Sequence, residues 1–298
     1  MKCVALGLAM ILLLLTACSG SHDDIDLSMY EYRDTRNLVR YVHSAAQQVQ
    51  AGGLEALEDY RPNSKSKSDY YLYVYTTQGV NLFHAGMPEL QNKDLHEITD
   101  KDGKHVFQLV VEAVRNPQNP HGWIHYTWWE PGKFYPVPKS SCHFMVTMPD
   151  GREVYVGGGI NYPLEEDEFA RIAVDSAVDL IERNGEAAIP VIAEPTSSYN
   201  FREVSVFAFR PDGYIVISPV LGDSLFHTDL LSCVDEVGHK PFEHAVQQLE
   251  QQSAVWQIFM AKNRYERQLV KKSLYLRKTT LCDMPLYVGA VTDMPQTP

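Results

Sequence analysis

The chain has 298 residues, 45% hydrophobic and 21% charged, the composition of an ordinary globular protein. Its formal net charge of −12 disfavours nucleic acid and anionic lipid surfaces as partners, since both require a basic face. The five cysteines form no CxxC pair and no Cys/His pairing that would mark a nucleophile.

The N-terminus reads as an export signal. Lys2 supplies a positive charge, residues 3–15 are almost wholly apolar, and Leu15-Thr16-Ala17-Cys18 closes the run. Thirteen apolar residues are too few to span a bilayer, which takes about 20. The Leu-Thr-Ala-Cys box resembles a bacterial lipoprotein signal. It implies removal of residues 1–17, lipidation (diacylglycerol and palmitate) at Cys18, and a tether over 18–29. Ser19, where an Asp would imply retention at the inner membrane, points to the outer membrane facing the periplasm. The covalent lipid would then supply the membrane attachment that the acidic surface cannot.

The first regular element after the tether is a helix. Leu38, Tyr41, Val42, Ala45, Ala46 and Val49 fall at helical spacing, and Gly52-Gly53 ends the stripe. Two short strands follow, 71–76 and 80–84, around the turn Thr77-Gln78-Gly79. A second, shorter helix carries Val106, Leu109, Val110 and Ala113. Three strands then close the unit: 122–129, 140–148 and 153–159, the last two joined by Asp150-Gly151.

The order then repeats. Val174, Ala177, Val178 and Ile181 give a helix ending at Gly185, with Asp167 as a plausible N-cap. Strands over 204–209 and 214–218 flank Arg210–Gly213, and Phe242, Ala245, Val246 and Leu249 give the second short helix. Landmarks recur at a nearly constant offset. Gly79 pairs with Gly213, Asp94-Leu95 with Asp229-Leu230, and Asp100 and Gly103 with Asp235 and Gly238. Trp123 pairs with Trp256, Lys139-Ser140 with Lys272-Ser273, and Gly157 with Gly289. The offsets lie between 132 and 135 residues, far longer than a solenoid period. The expectation is α+β: two units in tandem, 30–161 and 162–298, each a long helix plus a five-stranded antiparallel sheet with short helices.

The run Gly79-Val80-Asn81-Leu82-Phe83-His84-Ala85, with Asp94-Leu95, Asp100-Lys101-Asp102-Gly103-Lys104, Gly122-Trp123-Ile124-His125-Tyr126-Thr127-Trp128, Pro138-Lys139-Ser140 and Val156-Gly157-Gly158-Gly159, resembles a single Cache domain. That module is the extracellular sensor of bacterial chemoreceptors and histidine kinases. The second copy resembles it more loosely, and a leading helix in each copy favours two single Cache units over one double-Cache unit. The resemblance implies a PAS-like sheet that holds a small ligand, often a carboxylate or amino acid, and no cofactor. No later segment reads as a membrane span, so a signal would have to pass through an unidentified partner protein.

Alternation places Ile124, Tyr126 and Trp128 on one strand face and Trp123, His125 and Thr127 on the other. Tyr126 and Trp128 are candidate pocket walls and Lys139 a candidate carboxylate partner; His84 could donate a second bond, and Tyr75, with Tyr73, could line the same side. Read as bare pattern, the same aromatics serve equally as sheet core. In the second copy Phe259, Ala261 and Ser218 stand for Tyr126, Trp128 and His84, whereas Lys272 is kept, so the first unit is the expected binding unit. The histidines between 84 and 143 do not converge at a metal-ligand spacing, Asp100-Lys101-Asp102-Gly103 reads as a turn, and Gly157-Gly158-Gly159 opens no helix, so it is no phosphate loop. Three function classes stay open: a lipid-anchored sensor of a small metabolite, an envelope structural or adaptor lipoprotein that binds none, and, least favoured, an enzyme. The lipid call has a direct test. Cys18→Ser should leave an uncleaved or soluble precursor; a variant that still partitions into membranes with palmitate label and mature mass would contradict it.

Overall fold

The computed structural model describes residues 25–61, 70–130, 133–218, 229–262 and 268–294. The signal segment and Cys18 lie outside the described residues. The first half runs α1 (Arg33–Gly52), β1 (Tyr71–Thr76), β2 (Asn81–His84), α2 (Val106–Arg115), β3 (Ile124–Trp129), β4 (Pro136–Thr147) and β5 (Glu153–Asn161). The second runs α3 (Asp167–Asn184), α4 (Ala188–Ala193), β6 (Asn200–Phe201), β7 (Val204–Ser205), β8 (Phe207–Phe209), β9 (Ile215–Ile217), α5 (Pro241–Gln248), β10 (Ala254–Lys262), β11 (Leu269–Leu281) and β12 (Met284–Asp293). No helix among the described residues is long and apolar enough to cross a membrane.

The fold is mixed α and β, built on two antiparallel sheets of five strands. Their orders are β2-β1-β5-β4-β3 and β9-β8-β12-β11-β10, the same order element for element. The shared landmarks make the same bonds. Asp100 accepts from the N–H groups of Asp102 and Lys104 and, across the sheet edge, of Thr127. Asp235 accepts from Val237, His239 and Met260. Each aspartate thereby ties the turn before a short helix to the edge strand of its own sheet, which is why the Asp-x-x-Gly pair recurs. Gly103 and Gly238 take φ of 86° and 92° in those turns, a region where a side chain is strained.

In each sheet one face packs on the long leading helix. Leu38, Val42 and Val49 of α1 are fully buried in one cluster with Leu72, Val74, Val154 and Val156. Gly158 allows the closest approach: a Cβ there would lie 2.6 Å from Val42. The two halves share this core, since Trp123 packs against Phe169 of α3 at 4.9 Å and His125 stacks on Phe201 at 3.9 Å. The opposite face of the first sheet carries α2 through a smaller cluster that includes Phe107, Val110, Tyr126 and Tyr155.

Several expectations need correction. The first strand of the second hairpin does not span 204–209. Val204–Ser205 pairs with Asn200–Phe201 in a separate two-stranded ribbon, and only Phe207–Phe209 joins the main sheet. Asn200 redirects this segment: its amide donates to the carbonyls of Ile192 and Glu194, and its Oδ1 accepts from Ser205. Asp167 is the first helical residue of α3, and Glu166 is the N-cap. The Glu166 carboxylate accepts from the N–H groups of Glu31 and Tyr32, at the start of α1. Trp123 is buried, whereas Trp256 is 40% exposed and lies on Tyr275, so that landmark is not equivalent in environment. The strand read over 140–148 begins earlier, because pairing already starts at Pro136 opposite Trp129, and Lys139 lies inside it. Helix α4 carried no apolar stripe long enough to be read from sequence.

Candidate functional site

The sequence Tyr71-Leu72-Tyr73-Val74-Tyr75 puts three phenol rings on the sheet face away from α1. Their partners on β5 are glycines: Tyr71 pairs with Gly159 and Tyr73 with Gly157. A Cβ on Gly157 would lie 2.5 Å from both the Tyr73 ring and the His143 ring, and one on Gly159 would collide with the Tyr71 hydroxyl. The glycine run is therefore space for rings to lie across the strand. That gives a physical reason for the glycine run, which the sequence excluded as a phosphate loop.

Over this floor lies a cavity of about 500 Å3. Tyr75, His84, Tyr126, Trp128 and Lys139, all five candidates, line it. Lys139 and Tyr126 are register partners on β4 and β3, and Tyr73 and His84 on β1 and β2. The structure adds Tyr71, Glu130 and Asn161 at the polar end, and Leu90, Leu95, Ile98, Val106, Phe107 and Val110 as an apolar wall from α2 and the loop before it. The loop residues had no periodic signal by which sequence could find them. Asn161 lies beyond the strand read over 153–159, and only the observed register sets it opposite Lys139.

Hydrogen bonds fix most of the polar atoms. The Tyr71 hydroxyl lies 3.2 Å from both the Tyr126 hydroxyl and Ser141 Oγ, and the last two are 3.1 Å apart. The Gly122 carbonyl can only accept, so His143 donates to it through Nδ1–H at 2.7 Å. His143 Nε2 is then an acceptor, and the Tyr73 hydroxyl donates to it at 2.7 Å. The Met87 N–H donates to His84 Nδ1 at 3.0 Å, which leaves the proton of neutral His84 on Nε2. Burial, with Lys139 adding to it, lowers the His84 pKa to about 4, so the ring is a neutral donor at neutral pH.

Lys139 is the exception. It is only 4% exposed, yet its ammonium has no hydrogen-bond or ion-pair partner among the described residues. It sits 4.4 Å from the centre of the Tyr71 ring. Burial lowers its pKa to about 8, and Glu130 opposes that shift from the cavity rim. Two acceptors around the same cavity, Asn161 Oδ1 and Glu130 Oε2, are buried without a partner among the described residues. The site thus offers one cation, one neutral N–H donor and two open acceptors above an aromatic floor. That suits a small molecule with a carboxylate and further polar groups.

The second sheet converts the same positions to packing. Phe207 and Phe209 occupy the register places of Tyr73 and Tyr75, opposite Gly289 and Tyr287. Phe259 faces Lys272 as Tyr126 faces Lys139. Phe207, Phe209, Phe242 and Phe259 are all buried in one cluster. Each exchange of Tyr for Phe removes a hydroxyl from the face that lines the cavity in the first sheet.

Residues 34–161 match the profile of Single Cache domain 2. A stretch of 110 residues is also similar to the methyl-accepting chemotaxis protein McpP of Pseudomonas putida, at 31% identity, covering 37% of this chain and 19% of that protein. The chain thus spans about a fifth of that relative's length. Among solved structures, the periplasmic sensor domain of a chemotaxis protein is 28% identical, with 44% of this chain and 94% of that one covered and a TM-score of 0.35. A Cache chemosensory domain solved for carboxylic acid recognition is 24% identical, with 44% and 92% covered and the same TM-score of 0.35.

Burial of neutral histidines sets an acid limit on this half. His84, His121 and His143 are each lowered from 6.5 to about 4, chiefly by burial, and His125 lies well below 6.5 for the same reason. Between those values the unfolded chain binds protons that the folded chain does not, so stability falls as pH drops from 6.5 toward 4. Melting temperature should decline steadily across that window, and His143→Gln should flatten the slope if it folds. A melting temperature constant from pH 7 to 4.5 would contradict neutral burial.

Proposed function

We propose that the first half is a binding site for a small metabolite of the carboxylate or amino-acid class, and that the protein is a sensor rather than an enzyme. The observation that carries this is the buried side chain of Lys139, whose ammonium faces a 500 Å3 cavity with no hydrogen-bond or ion-pair partner among the described residues. A buried cation left unpaired costs several kcal/mol, and a ligand carboxylate would offset that cost where no side chain does. His84 Nε2–H is the second donor to the carboxylate. Asn161 and Glu130 receive any hydroxyl or ammonium beside it, Tyr126 and Trp128 flank the body, and Tyr75 closes the side toward α2.

The match of residues 34–161 to a sensor-module profile supports the same reading. In this proposal the chain consists of two Cache units in tandem, 30–161 and 162–298, the second a packed support with its pocket filled. Cys18 carries the lipid, the mature protein faces the periplasm from the outer membrane, and occupancy is passed to an envelope or receptor protein. The adaptor alternative takes its support from the second half, where phenylalanines replace the tyrosines. It applies to that half and leaves the open cavity of the first unexplained.

A thermal-shift screen of a metabolite library against residues 19–298 tests the proposal. A ligand at 100 times its dissociation constant adds about 2.7 kcal/mol of stability. Hits should be carboxylates, and Lys139→Met should weaken them about ten- to hundredfold, the loss of one charge-assisted bond. Tyr126→Ala should weaken them through lost contact, and Phe259→Ala should leave affinity unchanged. A library without a hit, or hits indifferent to Lys139→Met, would favour the adaptor reading for the whole chain.

A further inference from the structure

The two sheets part company at one register pair. Lys139 lies opposite Asn161, and Lys272, its counterpart, lies opposite Asp293. Asn161 keeps Oδ1 buried and unpartnered at the cavity. Asp293 instead brings Oδ1 to 2.7 Å from Lys272 Nζ, with the lysine side chain 8% and the aspartate 30% exposed.

We propose that the second half carries its own occupant: the Asp293 carboxylate takes against Lys272 the place that a diffusible ligand's carboxylate takes against Lys139. This rests on the ligand reading of the first half and goes beyond it, since it assigns Asn161 as the residue that keeps Lys139 open. The chemistry of the exchange is small. Asn and Asp have the same shape, so the register and the strand end are preserved while one group changes from a neutral amide to an anion. A tethered carboxylate acts at an effective concentration of millimolar or more, so a dilute free acid cannot displace it. Phe259, the register partner of Lys272, fits this state: it is buried in a phenylalanine cluster, where its counterpart Tyr126 lines the cavity. The second half is therefore held in its occupied form, and only the first half responds to what the surroundings supply.

Two measurements on the full mature chain decide it. The first uses Asp293→Ala in a Lys139→Met background, so that only the second lysine can answer, melted in sodium acetate and in sodium chloride at equal ionic strength. The melting temperature should fall by roughly 4–8 °C, and acetate should restore part of it saturably where chloride does not. Lys139→Met alone should show no acetate-specific gain. If Asp293→Ala does not fold, Asp293→Asn keeps the shape and is read the same way. The second follows the Lys139 ammonium by NMR titration. Asn161→Asp should raise its pKa by a unit or more, because the new carboxylate pairs with it as Asp293 does with Lys272. Absence of acetate-specific recovery, or an unmoved Lys139 titration in Asn161→Asp, would overturn the proposal. Both readouts are independent of any metabolite, so an empty screen on the unaltered protein would defeat the ligand reading without imitating either failure.

Discussion

A lysine side chain buried among aromatic rings, with only the Glu130 carboxylate at the cavity rim to oppose its desolvation, is an uncomfortable charge, and the first half is built around holding one. Desolvation works against Lys139 by several kcal/mol, and the nearest relief is the face of Tyr71 at 4.4 Å. Most other polar groups on the floor have been made neutral and committed. Tyr73 spends its proton on His143, His143 spends its own on Gly122, and Tyr71, Tyr126 and Ser141 bond among themselves. The glycines of β5 exist in this scheme to let those rings lie flat. With most of the floor satisfied internally, Lys139, His84, Asn161 and Glu130 bring open valences to one cavity among the described residues.

The strand that bears Tyr126 also joins the two halves. Its alternate side chains point the other way, where Trp123 and His125 pack on Phe169 and Phe201 of the second half. The buried Lys104 ammonium, next to the Asp100 turn, donates to the Asn200 carbonyl. Glu166, from the segment between the halves, holds the backbone at the start of α1. In the proposed reading, a ligand pressing on β3 from the cavity side would press on a wall whose far face is the core shared with the second half. This gives occupancy a physical route out of the pocket.

The parts of the fold governed by period and by local turn chemistry were legible in the sequence. The apolar stripes of α1 and α3, the Gly53 and Gly185 stops, the Tyr71–Thr76 strand and the Asp100 and Asp235 turns are all set by residues within a few positions of one another. The parts governed by distant partners were not. The ribbon of β6 and β7 depends on the Asn200 side chain reaching α4, and the role of Glu166 depends on a helix 130 residues earlier in the chain. The site divides the same way. Tyr75, His84, Tyr126, Trp128 and Lys139 sit on strands whose alternation fixes the face they show. The apolar wall from Leu90 to Ile98 comes from a loop with no period. Asn161 became visible as a determinant only when its counterpart, Asp293, was found paired with a lysine.

The most direct test is a crystal structure of the mature protein grown with the best carboxylate from the metabolite screen. A carboxylate oxygen within about 2.7–2.9 Å of Lys139 Nζ, with His84 Nε2 on the same group, is the expected result. A cavity that holds only water, with the Lys139 ammonium turned onto Glu130, would contradict the account.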